Sequence, residues 1–412
     1  AISITDGPTF NYGIVAVGAT KDHSFTLTNT GGYLVTSLTG SGLTTPYSYK
    51  GGPFPGTGGN GGTSLAAGAT CTMVVSYAPS TTGAHNATAQ IGFFDGALSQ
   101  TSSRALQGQG ALPASLAISN GPFYDFGTKA TGSVSEVSLT VSNSGGVPAT
   151  TVISSGVSLP YRFKGGSYPG TGGTCLAQIA AAGSCTLVVE YVPTATGSQI
   201  ITLDLAYDNG VSSVNATREI RGVGAAPASI GISDGPQHDF GILAAGGTAD
   251  KTLTLTNSGG VPATAMSGGG LTAPFGFKGG GYPGTGGTCN TNLNAGSTCT
   301  VVVSYNPSAP GSDSGAVQIS YNDGVTTMSS SRNLVGTAVA PALLTVSHGA
   351  TFDFGIYPAT ASIDQVLTIT NSGSLAATAV AGSGLAAPFS FKGGPYPGTG
   401  GNCGTVLSAT AS

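Results

Sequence analysis

Six cysteines are the residues best placed to do chemistry in this chain. Cys175 and Cys185 are ten residues apart, and so are Cys289 and Cys299. Cys185 and Cys299 are in turn separated by 114 residues, and Cys71 precedes Cys185 by the same interval. Two equal pairs at equal positions suit one disulfide per repeat. Zinc is the competing reading. Each repeat, however, supplies two thiolates and no regularly placed His, whereas a structural zinc site takes about four ligands. Paired cysteines imply an oxidising, extracytoplasmic compartment. Cys71 and Cys403 are expected to be unpaired. Gly61 fills the slot that would hold the partner of Cys71, and the partner of Cys403 would fall one residue past Ser412.

The same 114-residue beat organises the whole sequence. Tyr12-Gly13, Phe126-Gly127, Phe240-Gly241 and Phe354-Gly355 mark it. The expected domains are residues 1–113, 114–227 and 228–341, with a partial fourth repeat at 342–412. A repeat of this length can hold its own core, so the units read as domains in series rather than as thin solenoid layers. The fourth repeat stops before the equivalents of its later strands. That predicts either continuation of the polypeptide, the favoured reading, or strands donated by another chain.

Composition narrows the class. Charged residues make up 7% of the 412, against about 25% in ordinary proteins. Twelve basic residues and a net charge of −4 leave no electrostatic footprint for nucleic acid. The 69 glycines have no period of three, which excludes collagen. No apolar run reaches 18 residues, and no basic amphipathic helix suits a membrane surface.

The second repeat shows the elements that must position the cysteines. Residues 136–142 alternate strictly between apolar and polar, as a strand with one buried face does. Strands are also expected at 116–119, 149–153, 161–163, 186–191, 199–207 and 218–224. Turn residues separate them, and no window carries a helical stripe. The expected fold is therefore all-β: tandem immunoglobulin-like antiparallel β-sandwiches. A ten-residue cysteine spacing closes a small loop, worth about 2.5–3 kcal/mol by chain entropy. It would tie down a glycine-rich loop that precedes the next strand.

That loop reads Lys-Gly-Gly-x-aromatic-Pro-Gly-Thr-Gly-Gly and starts at Lys50, Lys164, Lys278 and Lys392. It is not a phosphate loop, because the Lys precedes the glycines and no helix follows. Its glycines permit positive φ and close packing. Phe54, Tyr168, Tyr282 and Tyr396 are its candidate contact residues for another chain or a surface glycan. Each Lys is expected to pair with a carboxylate or carbonyl of its own repeat; an inter-repeat bond is the sharper alternative. An isopeptide crosslink would need a buried carboxylate beside the Lys, and no Glu recurs at a fixed repeat position. Arg104, Arg218 and Arg332 keep the beat near the start of the last strand. Each follows an Asp-Gly or Asn-Gly turn of expected type I′, which predicts a partner across the hairpin. Asp6, Asn120, Asp234 and His348 share a turn before Gly and offer only a thin ligand set for calcium. Asn86 and Asn215 match the short N-glycosylation pattern. The four histidines fall out of step with the repeat, so no catalytic constellation, no enzyme and no cofactor is expected.

Several stretches resemble the choice-of-anchor D domains of bacterial surface proteins, which are similar to the immunoglobulin-like domains named after abnormal spindle and hydin. The resemblance lies in Asp125-Phe126-Gly127, in the run LTVSNSG at 139–145, in AGSCTLVVEYVPTATG at 182–197, and in the matching stretch at 295–307. It covers nearly the whole chain. The present sequence departs from it at Gly61 and in its glycine-rich Pro-Gly-Thr-Gly-Gly segment. The resemblance implies a secreted or cell-surface array of sandwiches without common catalytic residues. Two functions follow as expectations. One is a structural segment of a bacterial stalk, fibre or filament that self-associates or adjoins further repeats. The other is an adhesive array that binds a surface glycan or a protein receptor, with repetition supplying avidity.

Overall fold

The computed structural model describes residues 1–412, and every regular element in it is a strand. The chain divides into two compact units, Ala1–Gly224 and Ala225–Ser412.

In the first unit, repeat 1 contributes nine strands. They are β1 (Ile2–Ile4), β2 (Thr9–Ala16), β3 (Lys21–Asn29), β4 (Val35–Ser41), β5 (Tyr47–Tyr49), β6 (Ser64–Leu65), β7 (Thr70–Tyr77), β8 (Gly83–Phe94) and β9 (Ser99–Ala111). One sheet has the order β1-β3-β7-β5 and the other β2-β9-β8-β4-β6. That division of strands between two faces is the immunoglobulin-like one. Pairing is antiparallel with one exception: β2 runs parallel to β9. Repeat 2 forms two four-stranded sheets of the same plan, from Leu116–Ile118 to Ser213–Ala225.

Period-two patterning builds the core. Phe25 and Leu27 on β3, Met73, Val75 and Tyr77 on β7, and Ala89 and Ile91 on β8 are all sealed from solvent. The aromatic Tyr47 stacks on Tyr77, with ring centroids 4.7 Å apart. That stack needs a bare backbone opposite it. A Cβ added at Gly108 on β9 would lie 2.6 Å from the Tyr77 ring, and Gly222 stands in the same relation to Tyr191. The hairpin turns differ from the expected type I′. At Asp95-Gly96-Ala97-Leu98 only the glycine has positive φ, +99°, which is the II′ pattern. The Asp95 carboxylate accepts the N–H groups of Ala97 and Leu98 and fixes this turn without needing a left-handed Asp.

The two repeats of this unit are docked rather than loosely tethered. Ala16, at the end of β2, is 3% exposed and belongs to the core cluster of repeat 2. A Cβ at Gly210 would meet the Ala16 methyl at 3.0 Å and Val147 at 3.2 Å, and a Cβ at Gly18 would touch Val211 at 3.8 Å. The connecting residues are hydrogen-bonded as well. Ala114 N–H donates to Asn209 C=O, and Gly146 N–H to Leu112 C=O, both at 2.9 Å.

In the second unit, repeat 3 repeats the plan, with sheets running from Ile230–Ile232 to Thr327–Val339. Residues 342–412 form two two-stranded pairs, Leu344–Val346 with Ile369–Asn371 and Ala377–Thr378 with Val406–Leu407.

Candidate functional site

The glycine-rich loop sits between β5 and β7, and its equivalents occupy the same place in later repeats. Cys175 lies at its far end, and Cys185 lies on the following strand, Ser184–Tyr191. They form a disulfide with Cα atoms 4.8 Å apart; Cys289 and Cys299 form another at 4.9 Å. The backbone around the bond is the same in repeat 1, where it is absent. The N–H groups of Gly61, Cys175 and Cys289 donate to the carbonyls of Thr72, Thr186 and Thr300, each at 3.1 Å. Cys71 is buried and free, burial pushes its thiol pKa up, and Cys403 is free as well.

At the near end of the loop, each Lys meets a carboxylate of its own repeat. Lys50 Nζ lies 2.8 Å from Asp22, Lys164 2.6 Å from Glu136 and Lys278 2.8 Å from Asp250; Lys392 contacts Asp364. In repeat 1 the Lys follows β5 and Asp22 lies on β3, so the pair bridges over β7 between them. Ser76 on β7 donates to the same Asp22 carboxylate at 2.6 Å, and Ser304 does so to Asp250. The Lys50 contact, then Ser76, holds the Asp22 carboxyl below its ordinary value; Lys278 and Ser304 do the same for Asp250. Glu136 conversely pushes Lys164 up. These groups are half-exposed, so each pair adds little stability. Their chemistry is a surface latch; in repeat 2 the buried Glu190 takes the slot of Ser76 and is paired with Arg162 at 2.8 Å.

The carboxylates correct the sequence reading. No Glu recurs, but an acid does: Asp22, Glu136, Asp250 and Asp364 keep the 114-residue beat. Tracking one residue type concealed a position conserved in charge.

The aromatic residues of the loop are half-buried, and they pack within their own repeat. Phe54 stands edge-on to Tyr49, Tyr168 to Phe163, Tyr282 to Phe277 and Tyr396 to Phe391, with centroids 5.5–5.8 Å apart. The hydroxyls of Tyr168 and Tyr396 are buried without a partner, and burial raises the pKa of Tyr168.

The arginines do not pair across their hairpins. Their cross-strand partners there are Ala89, Leu203 and Val317, which offer no acceptor side chain. Arg104, Arg218 and Arg332 instead donate Nη2 to the carbonyls of Ile4, Ile118 and Ile232. Arg104 lies on β9 and Ile4 ends β1 in the opposite sheet, so the guanidinium ties the two sheets together. It can do so because the last strand begins at Ser99, well before the arginine, and Arg104 points inward from the middle of the sandwich edge.

A second polar anchor escaped the sequence reading. Asn29, Asn143, Asn257 and Asn371 are almost wholly buried. Asn143 Nδ2 donates to Val147 and Ala180 carbonyls at 2.9 and 3.0 Å, while its Oδ1 accepts from Gly145 and Ser115 at 2.9 and 3.1 Å. The signal was a polar residue that ends an apolar strand on every beat. Asp6 binds His23 at 2.8 Å and Asp234 binds Lys251 at 2.6 Å. No group of three or more His, Cys, Asp or Glu side chains is arranged to hold a metal ion. A tandem all-β sandwich architecture of this kind is typical of structural and adhesive domains rather than of enzymes.

No protein-family model matches the sequence, and no curated protein matches it. Among solved structures, the VesB protease of Vibrio cholerae matches over 26% of this chain and 31% of its own, at 21% identity and a TM-score of 0.22. The chain thus spans about a third of that protein. A PapD-like (ASH) domain of human CEP192 matches over 26% of this chain and 84% of its own, at 17% identity and 0.21. The I-band fragment I67–I69 from titin matches over 82% of this chain and 97% of its own, at 12% identity and 0.28. These likenesses carry no argument about what the present chain does.

Proposed function

We propose that the chain is a structural segment of an extracellular bacterial stalk, fibre or surface filament. Its sandwiches, assigned to residues 1–113, 114–227, 228–341 and 342–412, would be of the choice-of-anchor D and abnormal-spindle–hydin-like kind. The observation that carries this reading is the joint in the first unit. Ala16 enters the core of repeat 2, Gly18 meets Val211, and the connecting backbone is hydrogen-bonded on both sides. A joint of that kind transmits orientation from one domain to the next, which a spacer or fibre requires and a flexible string of receptors does not. The two disulfides support an oxidising location. The scarcity of charge supports close packing of neighbours, since little repulsion opposes it. The glycan-binding alternative calls for exposed aromatics at 54, 168, 282 and 396. Half-buried rings packed on their own repeats give it no support.

The test is an inter-repeat distance distribution. Spin labels at Gln90→Cys in repeat 1 and Thr140→Cys in repeat 2, in a Cys403→Ser background, report it by pulsed EPR. Buried Cys71 stays unlabelled. A single narrow distribution is expected. A broad one would mean a flexible tether, and the spacer reading would be lost.

A further inference from the structure

The sequence holds three Asn-Gly steps: Asn60-Gly61, Asn120-Gly121 and Asn209-Gly210. Such a step can modify itself, because glycine has no Cβ to shield its nitrogen from the asparagine side chain before it. Two of the three are pinned at both reacting groups. Asn60 Oδ1 accepts the N–H of Thr72 at 2.6 Å and its hydroxyl at 3.0 Å, and Gly61 N–H donates to the Thr72 carbonyl at 3.1 Å. Asn209 Oδ1 accepts the N–H groups of Val211 and Ser212, both at 2.9 Å, and Gly210 N–H donates to the Asp208 carboxylate at 2.7 Å. Asn120 differs from both. It is exposed, its side chain has no hydrogen-bond partner, and neither has the N–H of Gly121. In repeats 1 and 3 its slot holds Asp6 and Asp234, each clamped to a base, whereas Asn120 faces Val137. The backbone of Asn120 is left-handed, with φ +72°, a conformation that an L-residue gives up at little cost. A Cβ at Gly121 would meet nothing within 4 Å, so the turn has room to rotate.

We infer that Asn120 is a self-modifying site, which converts in the folded protein to aspartate and isoaspartate while Asn60 and Asn209 persist. The nitrogen of Gly121 attacks Asn120 Cγ. A C–N bond forms, and the side-chain amide leaves as ammonia, taking the proton from Gly121. Water then opens the five-membered imide. Opening at Cγ restores the ordinary backbone and leaves an aspartate. Opening at the main-chain carbonyl carbon leaves isoaspartate, with one more carbon in the backbone. No oxidant, reductant or enzyme takes part. Either product adds one negative charge to a chain whose formal charge is −4. The aspartate matches the acid that repeats 1 and 3 carry in this slot, but Val137 offers it no base. The cation at hand is Arg218, which holds the carbonyl of Ile118 and whose Nε is buried without a partner. Isoaspartate lengthens the turn between the strands Leu116–Ile118 and Phe123–Ala130. The step depends on repeat 2 alone, whatever the array carries or joins.

The test is to age the folded chain in mildly alkaline buffer at body temperature and to sample it by tryptic peptide mapping with mass spectrometry. Trypsin places Asn120 in the peptide 105–129, which contains no other asparagine. That peptide should gain the mass of an amide-to-acid exchange and split into two products, one of them a substrate for isoaspartyl methyltransferase. Conversion at Asn60 and Asn209 should be at least about tenfold slower, since each needs a local opening first. The same chain unfolded in urea should lose this order, with the three rates converging. Asn120→Gln should remove the early acidic species seen on ion exchange, while circular dichroism stays unchanged. Three outcomes overturn the inference. One is Asn60 or Asn209 converting as fast as Asn120 in the folded chain. Another is Asn120 surviving intact over the time in which the unfolded chain converts. The third is an early acidic species that persists in Asn120→Gln.

Discussion

Substituting Gly61→Cys should complete the disulfide that repeat 1 lacks. The backbone is already in place, since Gly61 N–H makes the same 3.1 Å bond to Thr72 that Cys175 makes to Thr186. Gly61 is also not among the positive-φ glycines, so a side chain strains no dihedral. Closing the loop between residues 61 and 71 removes about 2.8 kcal/mol of chain entropy from the unfolded state. Against this stands crowding: the new Cβ would lie 3.0 Å from the Phe54 ring and 3.1 Å from Pro55. Repeat 2 carries Cys175 beside Tyr168 and Pro169 in those slots, so a shift of a few tenths of an ångström suffices. Gly61→Ser adds the same crowding without the crosslink and isolates the bond. If repeats 1 and 2 melt as one unit, the difference between the two variants should be roughly 6–11 °C in Tm; a repeat melting alone would shift about twice as far. Thiol titration of the denatured protein should fall from the two free cysteines, Cys71 and Cys403, to one. If three thiols titrate, or Gly61→Cys melts no higher than Gly61→Ser, the two repeats do not share a backbone at this loop and the reasoning fails.

Asn143→Ala should cost about 2–4 kcal/mol in urea unfolding, because it strands buried carbonyls and N–H groups at once; a loss under 0.5 kcal/mol would show that water replaces them. Arg104→Lys should cost about 1–3 kcal/mol, since an ammonium cannot reproduce the guanidinium bond to Ile4 between the sheets, and differential scanning calorimetry will read it. Asp22 and Asp250 have folded pKa values below the ordinary 3.8, mainly through Lys50 and Lys278. Their contribution is thus fully present above about pH 4 and disappears as pH falls through the lowered values. Urea midpoints should be flat from pH 5 to 7 and drop below about pH 4, less steeply in Asp22→Asn/Asp250→Asn; an identical acid limb would refute the assignment.

The fold was legible because its cause is local. Alternation in residues 136–142 follows from one buried face, and Gly-rich turns follow from positive φ, so strands and order could be read without tertiary information. The parallel pairing of β2 with β9 could not, because a strand's hydrophobic pattern is indifferent to the direction of its neighbour. The arginine partner was missed for a related reason. A hairpin suggests a cross-strand partner, but Arg104 points into the sandwich, and its acceptor is a main-chain carbonyl about a hundred residues away that no side-chain pattern announces. The buried asparagine was hidden by its type, since Asn beside Ser and Gly reads first as a turn.

The charges show how much the repeat can reveal once it is read by chemistry instead of by identity. The slot holding Asp6, Asn120, Asp234 and His348 faces the slot holding His23, Val137, Lys251 and Gln365. Where the first is acidic, the second carries a base at 2.6–2.8 Å; where the first is neutral Asn, the second is Val. The Lys50, Lys164 and Lys278 pairs behave likewise, each acid on one strand and each Lys beyond the strand between. A chain with only 7% charged residues thus places much of that charge in local pairs. Paired charges sum to almost no field at the distance of a neighbouring molecule. Contact between the two sandwiches of the first unit accordingly rests on shape and apolar packing, as at Ala16 against Val147. Raising the salt concentration should leave the joint of Ala16 against Val147 intact, read as an unchanged distance between spin labels in repeats 1 and 2, and a strong broadening by salt would contradict an apolar joint.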